Sequence, residues 1–296
     1  MTNSDTQFRK VRLSQGTIRY RDVGEGAPIV FVHGAMVNGE LWRKVVPLFA
    51  GRYRCIVPDL PLGSHETAMN KDADLSPAGL AKLIADFLTA LDLQSVTLVG
   101  NDTGGALCQI VVTNYPERIA QLVLTNCDAF DNFPPKMFLP LKWGAYLPGF
   151  LFELSQLLRF QTIRYSPLAF GWLSKRRIEK RIMDVYLNPA ISSRLIRRDL
   201  GKALKGISTR YTQEAAKKLA DFHKPVLLAW ATEDRFFKFT DAERLSKIIP
   251  NVQLERIEDS LTFVPEDQPE RLAQLIDGFM QKHQATSNEP RLLSVV

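Results

Sequence analysis

The stretch Val96-Thr97-Leu98-Val99-Gly100-Asn101-Asp102-Thr103-Gly104-Gly105-Ala106-Leu107 limits what this chain can fold into more than any other. A short apolar run ends in a glycine, one acidic residue stands two places later, and two more glycines precede a helical pattern. Such a sequence reads as strand, tight turn and helix, with the turn lifting one side chain to the carboxyl edge of a parallel sheet. Glycine is required where backbones approach closely in a strained turn. Two readings are open at this level. Either Asp102 is a displayed nucleophile, or the glycines serve an ordinary strand-to-helix turn and Asp102 caps the helix.

The flanking chain supports a parallel sheet. Phe8–Leu13 and Thr17–Val23 alternate as two strands joined at Ser14-Gln15-Gly16. Ile29–Val32 is a continuous apolar run, as in a strand covered on both faces, and His33-Gly34-Ala35 follows it. Glu40–Phe49 reads as a helix and Arg54–Val57 as a buried strand. Ser76 opens a helix through Leu91, with Pro77 in its first turn. After the Val96 strand and a helix to Asn114, Leu122–Leu124 reads as another strand. Strands alternating with helices indicate an α/β fold with a mostly parallel sheet.

The alternation then stops. From about Asp128 to Phe222 no strand pattern is present, and prolines interrupt the helical ones. A structureless loop of that length is implausible, so the segment is expected to be an inserted helical lid. The α/β pattern returns at Val226–Trp230 and continues with a helix at Asp241–Ile249, a strand at Val252–Ile257 and a helix from Pro269 to His283. The expected division is a core of residues 1–128 and 223–283, a lid of 129–222 and a tail of 284–296.

The charge is uneven. The net charge is +6, yet Leu158–Lys224 holds sixteen Lys or Arg against five Asp or Glu. A solvated helical face accounts for this simply. Attraction of the basic lid to an anionic substrate or membrane surface is the sharper alternative. No nucleic-acid recognition module accompanies the charge. Phe138–Leu158, the most apolar long stretch, is broken by Pro140, Lys142, Pro148 and Glu153, so no integral membrane segment is expected. Cys55, Cys108 and Cys127 lie inside apolar patterns, and the N-terminus has no apolar signal core, which together suggest a cytoplasmic protein. No Cys/His cluster suggests a metal, and no cofactor motif is present.

With His33-Gly34, Asp59-Leu60-Pro61, the Gly100–Gly104 turn, the lid, Trp230-Ala231-Thr232-Glu233-Asp234 and Pro265-Glu266-Asp267-Gln268-Pro269 in this order, the chain resembles the α/β-hydrolase superfamily. The resemblance spans about residues 8 to 283. It implies a mostly parallel eight-stranded sheet with helices on both faces and the lid after the sixth strand. Aspartate at position 102 resembles the haloalkane dehalogenase and epoxide hydrolase branch, in which a carboxylate attacks a saturated carbon and leaves an ester on the enzyme. By the same resemblance, the N–H groups of Ala35 and Thr103 would form the oxyanion hole, and Asp234 would be the acid. Asn126, Asp128 and Asp131 are alternatives for that acid.

The family also places a histidine after the last strand to activate water, and here that position is Thr262. His33 is expected to be structural, His223 to lie near the amino edge of the sheet, and His283 to be exposed. His65 follows the Arg54–Val57 strand at the active-site edge, so it is the candidate replacement, although an exposed loop histidine is the simpler reading. Glu258 and Asp259 are further candidates. The halide-holding tryptophan and asparagine of dehalogenases correspond to Thr103 and Ala35. Tyr146, Tyr165, Tyr186 and Tyr211 are available to polarise an epoxide.

Three functions fit. The first is a hydrolase acting on a small to medium apolar substrate through Asp102. The second is a non-hydrolytic isomerase, cyclase or lyase using Asp102 as acid or base. The third is a catalytically inactive ligand-binding homologue.

Overall fold

The computed structural model describes residues 8–49 and 51–288. Eight strands form one sheet: β1 (Arg9–Leu13), β2 (Gly16–Val23), β3 (Ala27–Val32), β4 (Tyr53–Pro58), β5 (Val96–Asp102), β6 (Ile119–Cys127), β7 (Val226–Ala231) and β8 (Val252–Ile257). Their order is β1-β2-β4-β3-β5-β6-β7-β8. β2 pairs antiparallel with β1 and with β4, and every other pair is parallel. β5 is therefore central, between β3 and β6, and the loops after these three strands meet at one edge.

The central strands are apolar on both sides because both sides are covered. Val30, Val32, Leu98 and Leu122 pack with helices α1 (Pro77–Ala90), α2 (Thr103–Asn114) and, further along, α9 (Phe239–Ile248). Ile29, Phe31, Val99 and Val123 pack on the other face with Trp42, Phe49 and the last helix, α11 (Pro269–Asn288). Alternate residues of one strand thus feed two cores, as the period of two requires.

Between β6 and β7 the described chain is helical: α3 (Leu139–Gly144), α4 (Phe150–Leu157), α5 (Gln161–Arg164), α6 (Lys180–Ser192), α7 (Arg194–Gly206) and α8 (Thr209–Lys218). Leu200, Leu204 and Ile207 join this segment to Ala106 of α2 through a third apolar cluster that includes Phe133. The short α10 (Val264–Asp267) leads into α11.

Three sequence expectations need correction. Glu40–Phe49 is not one helix but two 3₁₀ turns, Gly39–Trp42 and Val46–Phe49. Pro47 has no N–H to give and restricts Val46, so an α-helical ladder cannot run through it. The sixth strand does not stop at Leu124 but reaches Cys127, because it stays paired with β5 as far as Asp102 opposite Cys127. On the other side the Asn126 amide donates to Ala231 O at the end of β7 and to Phe237 O beyond it, and its Oδ1 accepts from Ala231 N at 2.6 Å. The last helix passes His283 to Asn288, so the first residues of the expected tail are helical and 289–296 lie outside the described residues. Among the described residues no helix is long and apolar enough to cross a membrane. Cys55, Cys108 and Cys127 are unpaired and buried.

Candidate active site

β5 runs straight into α2, and the junction residue is Asp102, with φ +55° and ψ −135°. A residue with a Cβ rarely occupies that region, so the junction stores strain. Two glycines make room for it. A Cβ on Gly34 would overlap the Asp102 carboxylate, and one on Gly104 would overlap the carbonyls of Val32 and His33. The Asp102 side chain makes no capping bond to α2. It turns instead toward the loop after β3, where Ala35 N donates to Oδ2 at 3.2 Å. Burial pushes the Asp102 carboxyl up to about 7, opposed by the N–H groups of Thr103 and Ala35 and reinforced by the charge of Asp234.

Asp128 follows β6, next door to β5. It is buried, and its Oδ1 has no hydrogen-bond partner among the described residues. Its Oδ2 accepts only a long bond, 3.5 Å, from the Thr103 hydroxyl. Burial first and the Asp102 charge second hold this carboxyl well above the ordinary carboxylate range. Two neighbouring carboxyls in an apolar setting resist double ionisation, so Asp102 is the first of the two to ionise and Asp128 keeps its proton to higher pH.

Both line a cavity of about 300 Å³. Ala35, Asp102, Thr103 and Asp128 form its floor. Leu141, Phe150, Leu154, Leu158, Phe170 and Leu204, among others from the helical segment, form its walls. Phe150 and Leu154 of α4 and Leu158, its C-cap, are spaced by four, which puts them on one helical face. The ionisable groups lining the cavity are Asp102, Asp128 and Lys142; no histidine and no tyrosine lines it.

Asp234 lies just after β7 and Thr262 after β8. The Thr262 hydroxyl donates to Asp234 Oδ1 at 3.0 Å, and Phe236 N donates to the same oxygen at 2.8 Å. Burial raises the Asp234 carboxyl to about 6 against the pull of these donors. The Thr262 backbone is also fastened to β5, since Asn101 Nδ2 donates to its carbonyl at 2.7 Å. The structure therefore brings Asp102, Asp234, Ala35, Thr103 and Thr262 into one neighbourhood.

His65 is placed elsewhere. It is buried rather than exposed, its Nε2 lies 3.2 Å from Asp199 Oδ2 of α7, and it does not line the cavity. Asp199 also accepts from Met69 N at 2.8 Å, so the pair clips the loop after β4 to the helical segment. The His65 loop lies at the active-site edge, but its imidazole is engaged away from Asp102. His33 holds its own turn: Nδ1 donates to Gly34 O at 2.8 Å and Nε2 accepts from Leu60 N at 2.8 Å. Burial lowers its pKa, which suits this neutral tautomer. His223 is exposed, and His283, half-buried, meets the Phe279 ring edge-on.

Of the three alternative acids, Asn126 is structural and Asp131 is exposed beside Arg244. Only Asp128 enters the cavity. Glu258 is exposed, and Asp259 is paired with Arg176. Tyr165 donates to Ile178 O, Tyr146 is exposed, and Tyr186 is buried outside the cavity. The sequence offered Asp128 as an alternative acid; its place beside Asp102 follows from topology, since it stands just past the strand next to β5. Among the described residues no group of His, Cys, Asp and Glu is placed to hold a metal ion.

With this geometry in view, the chain matches the family model of the α/β hydrolase fold over residues 27–269, and it belongs to that family. It is 26% identical over 257 residues to the uncharacterized hydrolase YugF of Bacillus subtilis (strain 168), covering 86% of this chain and 89% of the relative. It is likewise 26% identical over 278 residues to haloalkane dehalogenase 2 of Mycobacterium tuberculosis (strain ATCC 25618 / H37Rv), covering 89% and 91%. The crystal structure of haloalkane dehalogenase DbeA from Bradyrhizobium elkani USDA94 superposes with a TM-score of 0.78 at 20% identity, over 95% of this chain and 99% of that one.

Proposed function

We propose that the protein is a hydrolase of small to medium apolar substrates in which Asp102 is the nucleophile and Asp128 carries the proton that histidine carries in related enzymes. One observation supports this reading above all. Two buried carboxyls, both raised by burial and Asp128 the further, share an apolar cavity that no histidine among the described residues lines. Thr262, at the histidine's place in the family pattern, has no basicity to offer and donates a hydrogen bond to one oxygen of Asp234 instead.

The cycle balances on these two groups. The Asp102 carboxylate attacks a saturated carbon, and the carbon–oxygen bond of a strained cyclic ether breaks. The released oxygen takes the proton of Asp128. An alkyl ester now stands on Asp102, which has lost its charge, so nothing repels a charge on Asp128 any longer. The Asp128 carboxylate then takes a proton from water as the hydroxide adds to the ester carbonyl, whose oxyanion faces the N–H groups of Ala35 and Thr103. Collapse expels the alkoxide, which takes the proton of the new carboxylic acid, and both aspartyl groups return to their starting forms. An oxygen leaving group uses the Asp128 proton and a halide does not. The pair therefore favours epoxides over haloalkanes. The helical segment acts as the lid that keeps bulk water from the ester.

The test is intact-protein mass after exposure to a panel of epoxides, haloalkanes, lactones and esters. The native protein should release many equivalents of diol, while Asp128→Asn should keep one stable adduct on the peptide holding Asp102. Product without an adduct in any variant would favour the second reading. In that reading the same carboxyl pair moves protons in an isomerase, cyclase or lyase step without forming an ester. Tight binding of the panel with neither product nor adduct would leave a ligand-binding homologue.

A further inference from the structure

The outer surface of the helical segment is unlike the rest of the molecule. Of the ten large hydrophobic residues exposed among the described residues, seven fall between Trp143 and Leu168. Trp143 exposes 60% of its surface, Leu147 63%, Phe160 61% and Leu168 80%. Single exposed apolar residues need no explanation, but this density on one short stretch does.

Cations stand among them. Lys142 lies over the Trp143 ring at 5.0 Å, Lys205 over Tyr146 at 5.3 Å and Arg197 over Phe152 at 5.1 Å. Between Phe133 and Ile178 the sequence has seven Lys or Arg and one acidic residue, Glu153. Arg164, Lys175 and Arg176 of that set are occupied by Asp184, Glu233 and Asp259. Lys136, Lys142 and Arg159, with Lys205 beside them, form no ion pair among the described residues.

The patch also borders the entrance to the cavity. Pro140 and Leu168 are exposed and line the cavity at the same time. Along α4, Phe150 and Leu154 face inward while Phe152 and Leu157 are exposed, so one short helix separates the cavity from the outer surface.

We infer that this face docks on an anionic phospholipid bilayer and that apolar substrate enters the cavity from the bilayer. Tryptophan and tyrosine suit the headgroup level, where one end of the side chain is apolar and the other wet. Leu147, Phe160 and Leu168, the most exposed apolar side chains of the patch, supply its contact with the acyl boundary, and the unpaired cations meet the negative headgroups. A second copy of the chain fits poorly, since two such faces would bring the same excess of positive charge together. The mouth opens within the patch, so an apolar molecule dissolved in the bilayer reaches Asp102 without passing through water. The docking does not depend on the reaction proposed for Asp102.

Cosedimentation with vesicles tests this, using the full chain with phosphatidylcholine alone and with an equimolar phosphatidylcholine–phosphatidylglycerol mixture, each at low and high salt. Binding should be at least roughly tenfold stronger on the mixture and should weaken with salt, since each cation at such a surface contributes roughly fivefold. Trp143→Ser/Leu147→Ser and, separately, Lys142→Gln/Lys205→Gln should each reduce it at least roughly tenfold. Trp143, Leu147 and Lys205 are exposed and Lys142 is half-buried, and an unchanged thermal transition checks that the variants fold. Trp143 fluorescence should shift to the blue on the mixture. Asp102→Asn should bind as the native chain does, which separates failure of this inference from failure of the catalytic one. Equal weak binding to both vesicles, or binding indifferent to the four substitutions, would overturn it. So would self-association in sedimentation velocity that the serine pair abolishes.

Discussion

Two carboxyls stand beside the same elbow, and each keeps one buried oxygen without a hydrogen-bond partner among the described residues. The other oxygen of Asp234 takes both the Thr262 hydroxyl and the Phe236 N–H, at 3.0 and 2.8 Å. The other oxygen of Asp128 has only a 3.5 Å contact with the Thr103 hydroxyl, and Asp128 alone of the two lines the cavity. A buried polar group left unsatisfied is expensive to maintain and is found where chemistry needs it. The contrast underlies the proposal that the β7–β8 side of the site, with Thr262, gives support while the β5–β6 side moves protons.

The sharpest way to break that comparison is to remove the groups one at a time. Asp102→Asn should lower turnover by about 10⁴-fold or more, since no amide can replace the nucleophile. Asp128→Asn should lower it by about 10² to 10⁴-fold, the range for losing a positioned acid and base, with ester accumulating. Thr262→Val should change turnover by no more than about threefold while lowering stability by about 1 kcal/mol, the usual value of one hydrogen bond. Steady-state rates of the three variants check the order. If Thr262→Val were as damaging as Asp128→Asn, the two sides of the site would have been assigned the wrong way round.

The pH dependence sharpens the same comparison. The Asp102 carboxyl titrates at about 7 in the folded chain against an ordinary 3.8. A carboxyl raised on folding favours the folded state only while it is protonated, so its ionisation subtracts stability progressively between pH 3.8 and about 7. Asp102→Asn should therefore stabilise the protein by a few kcal/mol at pH 8 and by little near pH 4, as chemical denaturation at both pH values would reveal. Turnover should rise as pH climbs through about 7, where Asp102 becomes ionised, and fall again where Asp128 loses its proton. The smallest effect is expected at His65. His65→Ala should leave turnover unchanged and lower stability by about 1–3 kcal/mol, because the buried Asp199 loses a partner.

The elbow was legible in the sequence because glycine spacing and an apolar run are local signals, and both survive in the fold. The order of strands was legible for the same reason. What was hidden depends on partners far away in the chain. Thr125-Asn126 has the polarity of a loop, and pairing with β5 as far as Cys127, together with the bonds of the Asn126 amide to Ala231, makes it strand. His65 stood in an active-site loop by position, and Asp199, on the far side of the helical segment, took its ring. Glu40–Phe49 had helical periodicity and one proline against it, and the proline prevailed. The cavity walls were legible only as composition, since prolines through the insertion conceal which face of each short helix turns inward.

The central claim is that Asp102 becomes esterified and that water attacks its carbonyl. Turnover in H₂¹⁸O, followed by mass analysis of the peptide holding Asp102, tests this directly. The account predicts that ¹⁸O enters the Asp102 carboxylate over repeated turnovers. Sustained product formation with an unlabelled Asp102 would contradict it.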